Sequence, residues 1–196
     1  MGFSDPDLGS ERHDFLCRHI AHPKPEHRVW TGRWLALRML TLHERRLARS
    51  DRTELLCGSA RVEVSGRTEV PIVKGRDQYR MIVGFADVVL SWRREYRTRW
   101  NGGDAETMRL CGDLVVEVKT GRISEGLLLR QMNTYREFGP DKDYAVAFDY
   151  EPSSEVRRLL LAEGFAVVHR VDNGFVAEGP ARRATPPTLT EAWWGS

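Results

Sequence analysis

An α/β fold follows from three features of the sequence. Its periodic segments run in the order helix, three strands, helix, strand, helix, strand. The strand segments are rich in β-branched and aromatic residues, and Ser and Gly stand where two of the helices should start and stop. With 196 residues, 41% of them apolar, one sizeable core is affordable. Residues 28–178 are therefore read as one domain, residues 1–27 as an N-terminal extension and residues 179–196 as a C-terminal tail.

The extension is polar, with "HIAHPKPEH" at its end, and is expected to pack loosely or to form a short helix before Pro23. From 30 to 48, "WTGRWLALRMLTLHERRLA" spaces Trp34, Leu37, Met39, Leu40 and Leu47 as one apolar face of a helix whose other face is basic. Strands are expected at 60–66 ("ARVEVSG"), 79–92 ("YRMIVGFADVVLSW") and 112–120 ("GDLVVEVKT"). A helix follows at 124–139, with Ser124 before it and Gly139 after it, then the strand "DYAVAFDY", a Ser-capped helix at 153–164 and a last strand, "FAVVHRV". The tail is Pro-rich and irregular, and its Trp193 and Trp194 are placed to pack back on the body.

Net charge is only +2, but 26 of the 30 basic residues are Arg; the four Lys are Lys24, Lys74, Lys119 and Lys142. The cysteines at 17, 57 and 111 form no paired motif, which suits a reducing, cytoplasmic setting. Neither a secretory pattern nor a run of ~18 apolar residues occurs, so no membrane association is expected. Cys17, His19, His22 and His27 have a spacing that fits no common structural zinc site, and surface histidines are the default reading.

Charged residues interrupt two of the strands. Asp87 lies in "GFADVVL", and the next strand carries Glu117 and Lys119, which share one face because residues two apart in a strand project to the same side. Buried carboxylates on neighbouring strands require a cation between them. Lys119 supplies one charge; Mg²⁺, which takes hard oxygen ligands, would supply more, held by Asp87, Glu117 and the carbonyl of Val118. In a chain that writes Arg almost everywhere, a Lys at 119 points to chemistry, since an ammonium is a compact charge that can approach a water or a phosphate.

The set "GFADVVL", "LVVEVKT" and "RQMNTY" resembles the PD-(D/E)XK nuclease superfamily, with its Asp at Asp87 and its E-x-K at Glu117 to Lys119. Gln131 and Tyr135, at i and i+4 on the following helix, resemble the Q-x-x-x-Y of the RecB-like branch. Ala86 stands where many members have Pro, the gap from Asp87 to Glu117 is long, and the four-Cys iron–sulfur set of some relatives is absent. The resemblance implies a restriction-endonuclease-like core, with a central mixed sheet flanked by helices. It implies a Mg²⁺- or Mn²⁺-dependent nuclease acting on DNA, with RNA left open, in repair, recombination, phage or defence processes. Asp87 and Glu117 would hold the metal, Lys119 would polarise a water, and Gln131 and Tyr135 would steady the site or touch the nucleic-acid backbone. An acidic residue from the first helix often joins such sites, and Glu44 is the candidate.

The insertion supplies Trp92, Tyr96, Arg93, Arg94, Arg97, Arg99 and Trp100, a basic and aromatic mixture suited to nucleic acid, against the reading of a solvated β-hairpin. The competing functional class is a non-catalytic nucleic-acid-binding or scaffolding protein that keeps the nuclease fold, working as a homodimer or within a larger complex.

Overall fold

The computed structural model describes residues 6–23, 31–49, 53–75, 80–139, 142–171 and 174–179. These form helices α1 (Pro6–Ala21), α2 (Thr31–Leu47), α3 (Glu125–Phe138) and α4 (Ser154–Ala162). The strands are β1 (Thr53–Lys74), β2 (Met81–Trp100), β3 (Ala105–Lys119), β4 (Asp143–Phe148), β5 (Ala166–Val171) and β6 (Gly174–Glu178). The α/β expectation holds. Among the described residues the strands make one mixed sheet in the order β1-β2-β3-β4-β5-β6. β1, β2 and β3 are antiparallel, β3, β4 and β5 parallel, and β6 antiparallel to β5.

Helices cover both faces of the sheet, as the strand patterns require. On one face Leu114, Val116 and Val118 of β3 pack with Leu16, Cys17 and Ile20 of α1 and with Leu35 and Met39 of α2. On the other face Val115, Val146 and Val167 pack under Leu128, Met132 and Tyr135 of α3 and Leu160 of α4. Fully burying each of the aliphatic side chains contributes about 1.5–3 kcal/mol. Ser153 caps α4, its hydroxyl accepting from Val156 N at 3.2 Å, whereas Ser124 occupies the equivalent place before α3 without a side-chain cap.

Three elements sharpen or extend the sequence reading. Of the two readings of the N-terminal segment the helix before Pro23 holds, at 16 residues, and it is firmly packed: α1 buries Leu16, Cys17, Ile20 and Ala21, spaced to form one helical stripe, in the same core as β2 and β3. The insertion after residue 92 takes the β-hairpin alternative, because β2 runs on to Trp100 and β3 begins at Ala105. Asn101 (φ 47°) and Gly102 (φ 73°) join the two strands, with Gly103 N donating to Trp100 O at 2.9 Å, the positive-φ turn that an Asn-Gly pair favours in tight hairpins. β1 is correspondingly long and pairs along this arm. Finally, β6 was not expected; it forms a short hairpin edge after β5. His27, Trp193 and Trp194 lie outside the described residues.

Candidate active site

Pairing between β2 and β3 reaches Val88 opposite Val116 and goes no further, after which β2 continues with β1 alone as a two-stranded ribbon. Asp87 sits at this fork. The register places Glu69 of β1 opposite it, between the Thr68–Val88 and Val70–Ala86 pairs, and Glu69 has a positive φ of 51°, a conformation uncommon outside glycine. The distortion re-aims β2: Ala86 packs on the α3 side of the sheet and Val88 on the α1 side, although they are two residues apart.

The carboxylate of Asp87 accepts the backbone N–H of Val118 at 2.7 Å through Oδ2, and the same oxygen lies 3.4 Å from Nε2 of His13 on α1. Glu117 and Lys119 project from β3 toward α3, as strand alternation predicted. The Lys119 ammonium donates to Glu117 Oε1. Gln131 Nε2 donates to the same oxygen at 2.7 Å and to the Tyr135 hydroxyl at 2.6 Å. Tyr135 in turn donates to Phe85 O at 2.8 Å, tying α3 to the β2 ribbon. Gln131 and Tyr135 thus hold Glu117 and the fork in place, one helical turn apart.

The electrostatics of the two carboxylates diverge. Burial, reinforced by the charge of Asp87, holds the Glu117 carboxyl above its usual range despite Lys119 and Gln131. Burial pushes Asp87 upward too, but the His13 contact and the Val118 N–H outweigh it and hold Asp87 below its usual range. Asp87, helped by Cys17 and against burial, pushes His13 up to about 10. Tyr135 is raised by burial and by Glu117, so it stays protonated at neutral pH.

Glu117 is only 2% exposed, and its second oxygen, Oε2, is buried with no hydrogen-bond partner. Such an orphaned anionic oxygen, beside a second carboxylate, fits a hard divalent cation completed by waters and phosphate oxygens. Among the described residues no group of three or more His, Cys, Asp or Glu side chains converges as a metal set, so the protein's share of such a site is the carboxylate pair with the Val118 backbone beside it.

Other expected residues lie elsewhere. Glu44 accepts from Arg94 Nη1 at 2.7 Å and from the Tyr96 hydroxyl. Those partners are seven and nine residues along β2 from Asp87, roughly 20–30 Å at ~3.3 Å per residue, so Glu44 pins α2 to the arm and does not reach the carboxylates. Arg94 turns toward α2 with it. On the opposite face of the arm Arg93 pairs with Glu63, and Arg99 with Glu54 at 3.1 Å, while Arg97 and Trp100 are exposed. An open cleft of about 1010 Å³ over Ser65, Ser91 and Asp113 is bounded by Arg61, Arg93 and Lys142; Asp87, Glu117 and Lys119 do not line it. The Cys17 and His19 pair forms no zinc site either: Cys17 contacts His13 at 3.7 Å, and His19 hydrogen-bonds the Thr31 hydroxyl at 2.9 Å.

His13 is the site residue that the sequence reading passed over. Its signal is its place on the buried stripe of α1, three and four residues before Leu16 and Cys17, where an apolar residue would be expected. No helix among the described residues is long and apolar enough to cross a membrane. Comparison of the chain with family models, curated proteins and solved structures gives no match.

Proposed function

We propose that the chain is a divalent-cation-dependent nuclease that hydrolyses phosphodiester bonds of DNA. The observation that carries this reading is Glu117: a fully buried carboxylate with one oxygen held by Lys119 and Gln131 and the other unpartnered, next to Asp87 at the strand fork. A buried carboxylate left half satisfied is destabilising by itself, so a bound cation that completes it accounts for its presence.

Asp87 and Glu117 would hold Mg²⁺ or Mn²⁺, and such an ion supplies a water of lowered pKa and neutralises charge on the phosphate. The chain's own groups do the rest. Lys119 uses its Glu117 contact to fix its ammonium at the rim, leaving its other N–H donors for a water or a phosphate oxygen as negative charge develops there. Gln131 and Tyr135 keep Glu117 Oε1 engaged, so that Oε2 is the oxygen presented. His13 balances Asp87 from the α1 side.

The test is a cleavage panel on single-stranded, duplex, flapped and four-way DNA, with matched RNA, in Mg²⁺ and in Mn²⁺. Glu117→Ala runs beside the wild type. Cleavage by the wild type that disappears in the variant supports the reading; a wild type that cuts nothing, or a variant that cuts equally well, overturns it.

A further inference from the structure

Beside the candidate centre α1 places a second cation. Arg12 Nη2 donates to Asp149 Oδ2 at 2.5 Å, and the two partners are unlike: the Asp149 side chain is 8% exposed, the Arg12 side chain 62%. Asp149 follows the last residue of β4, and its N–H donates to Lys119 O at 3.1 Å, so this carboxylate is anchored to the strand end that carries Lys119. Its other oxygen, Oδ1, is buried without a partner. The next residue of the helix, His13, contacts Asp87 on β2. Arg12 and His13 therefore straddle the rim formed by the β2–β3 fork and the ends of β3 and β4.

A surface ion pair that served only to dock the helix would contribute little, since exposed pairs are worth about 0–1 kcal/mol. Here the carboxylate is buried and the guanidinium is not. Among the described residues Asp149 is the only side-chain partner of Arg12, and the contact uses one of five N–H donors. With its side chain 62% exposed, the guanidinium presents the planar fork that matches phosphate oxygens. β4 pairs directly with β3 as far as Phe148 opposite Lys119, about 4.8 Å away, so the guanidinium held by Asp149 stands beside the strand end that carries Glu117 and Lys119.

We infer that Arg12 binds a backbone phosphate flanking the scissile one, with Asp149 as the positioning residue that aims its guanidinium. This rests on the nuclease reading and adds to it a residue that sets where the strand lies across the rim. Arg12 grips the nucleic acid through its backbone, so the contact is independent of sequence.

The test is fluorescence anisotropy with a labelled single strand of about 20 nucleotides, longer than a typical single-strand site. It is run in Ca²⁺ across a salt series, with helix content and melting temperature followed in parallel. Arg12→Ala should weaken binding about tenfold and lower the slope of log Kd against log salt by about 0.7, the signature of one lost phosphate contact. Arg12→Lys should keep the slope while losing part of the affinity. Asp149→Asn, which leaves the Arg12 charge but loosens its aim, should weaken binding with the slope unchanged. If the wild type binds and Arg12→Ala matches it, or weakens binding with an unchanged slope, the phosphate role is wrong and Arg12 only docks α1. A wild type that neither binds nor cuts any oligonucleotide overturns the nuclease reading itself.

Discussion

Asp87 accepts the backbone N–H of Val118 at 2.7 Å, across the point where the paired register of β2 and β3 stops. A side chain thus takes over from the sheet in satisfying a main-chain donor where two strands part. The same oxygen faces His13, so one atom joins the strand fork, the first helix and the candidate cation site.

Replacing Asp87 by Asn and by Ala should separate these roles. Asn keeps an oxygen for the Val118 N–H but gives up the charge that pairs with His13, so its urea midpoint should fall only by the loss of that pair while cleavage is lost. Ala leaves the N–H unpaired and should cost about 1–3 kcal/mol of stability as well. Equal midpoints for the two variants would show that the hydrogen bond contributes nothing.

A ligand that binds the folded state alone raises the melting temperature. Mg²⁺ at about a hundred times its dissociation constant should stabilise the wild type by roughly 2.7 kcal/mol, and Glu117→Gln should remove that response. Differential scanning fluorimetry with and without EDTA checks it. A response that persists in the variant would place the ion elsewhere.

The His13–Asp87 contact makes stability depend on pH with a definite sign. His13 is raised from 6.5 to about 10 in the folded protein, so its contribution is full below pH 6.5 and is lost as the pH rises toward 10. Asp87 is lowered, so its side of the pair is lost only as acid protonates it below its usual range. In metal-free buffer the melting temperature of His13→Gln should therefore fall furthest below the wild type near pH 6. The gap should close by about pH 10, and a gap that is constant across this interval would show that the contact does not titrate.

Lys119 and Glu44 should behave as opposites. Lys119→Ala should reduce cleavage by about 10²–10³-fold, the effect of removing one electrostatic stabiliser from a site of this kind, without changing the fold. Glu44→Gln leaves the cleavage rate unchanged and weakens the tie between α2 and the arm, costing about 1–3 kcal/mol by chemical denaturation. Cleavage that depends on Glu44 would contradict its placement beside Arg94 and Tyr96.

Several parts of the candidate site were legible because they depend on short-range geometry. Period-two alternation on β3 puts Glu117 and Lys119 on one face, and an i, i+4 spacing on α3 brings Gln131 and Tyr135 together. The β-hairpin weighed for the insertion is equally local, fixed by the Asn-Gly turn at 101–102, and it sends Arg93, Arg97 and Arg99 away along an arm.

Chain periodicity alone determined the α/β class, the strand–helix order around Glu117, the pairing of charges within β3 and the pairing of Gln131 with Tyr135 within α3. Tertiary structure alone decided that Asp87 lies at a strand fork, that His13 and Arg12 of α1 meet Asp87 and Asp149, and that Glu44 belongs to the arm. The physical reason is one of range. Side-chain direction within an element follows from its backbone repeat, whereas contacts between residues 74 or 137 positions apart depend on where each helix crosses the sheet and where strand pairing ends.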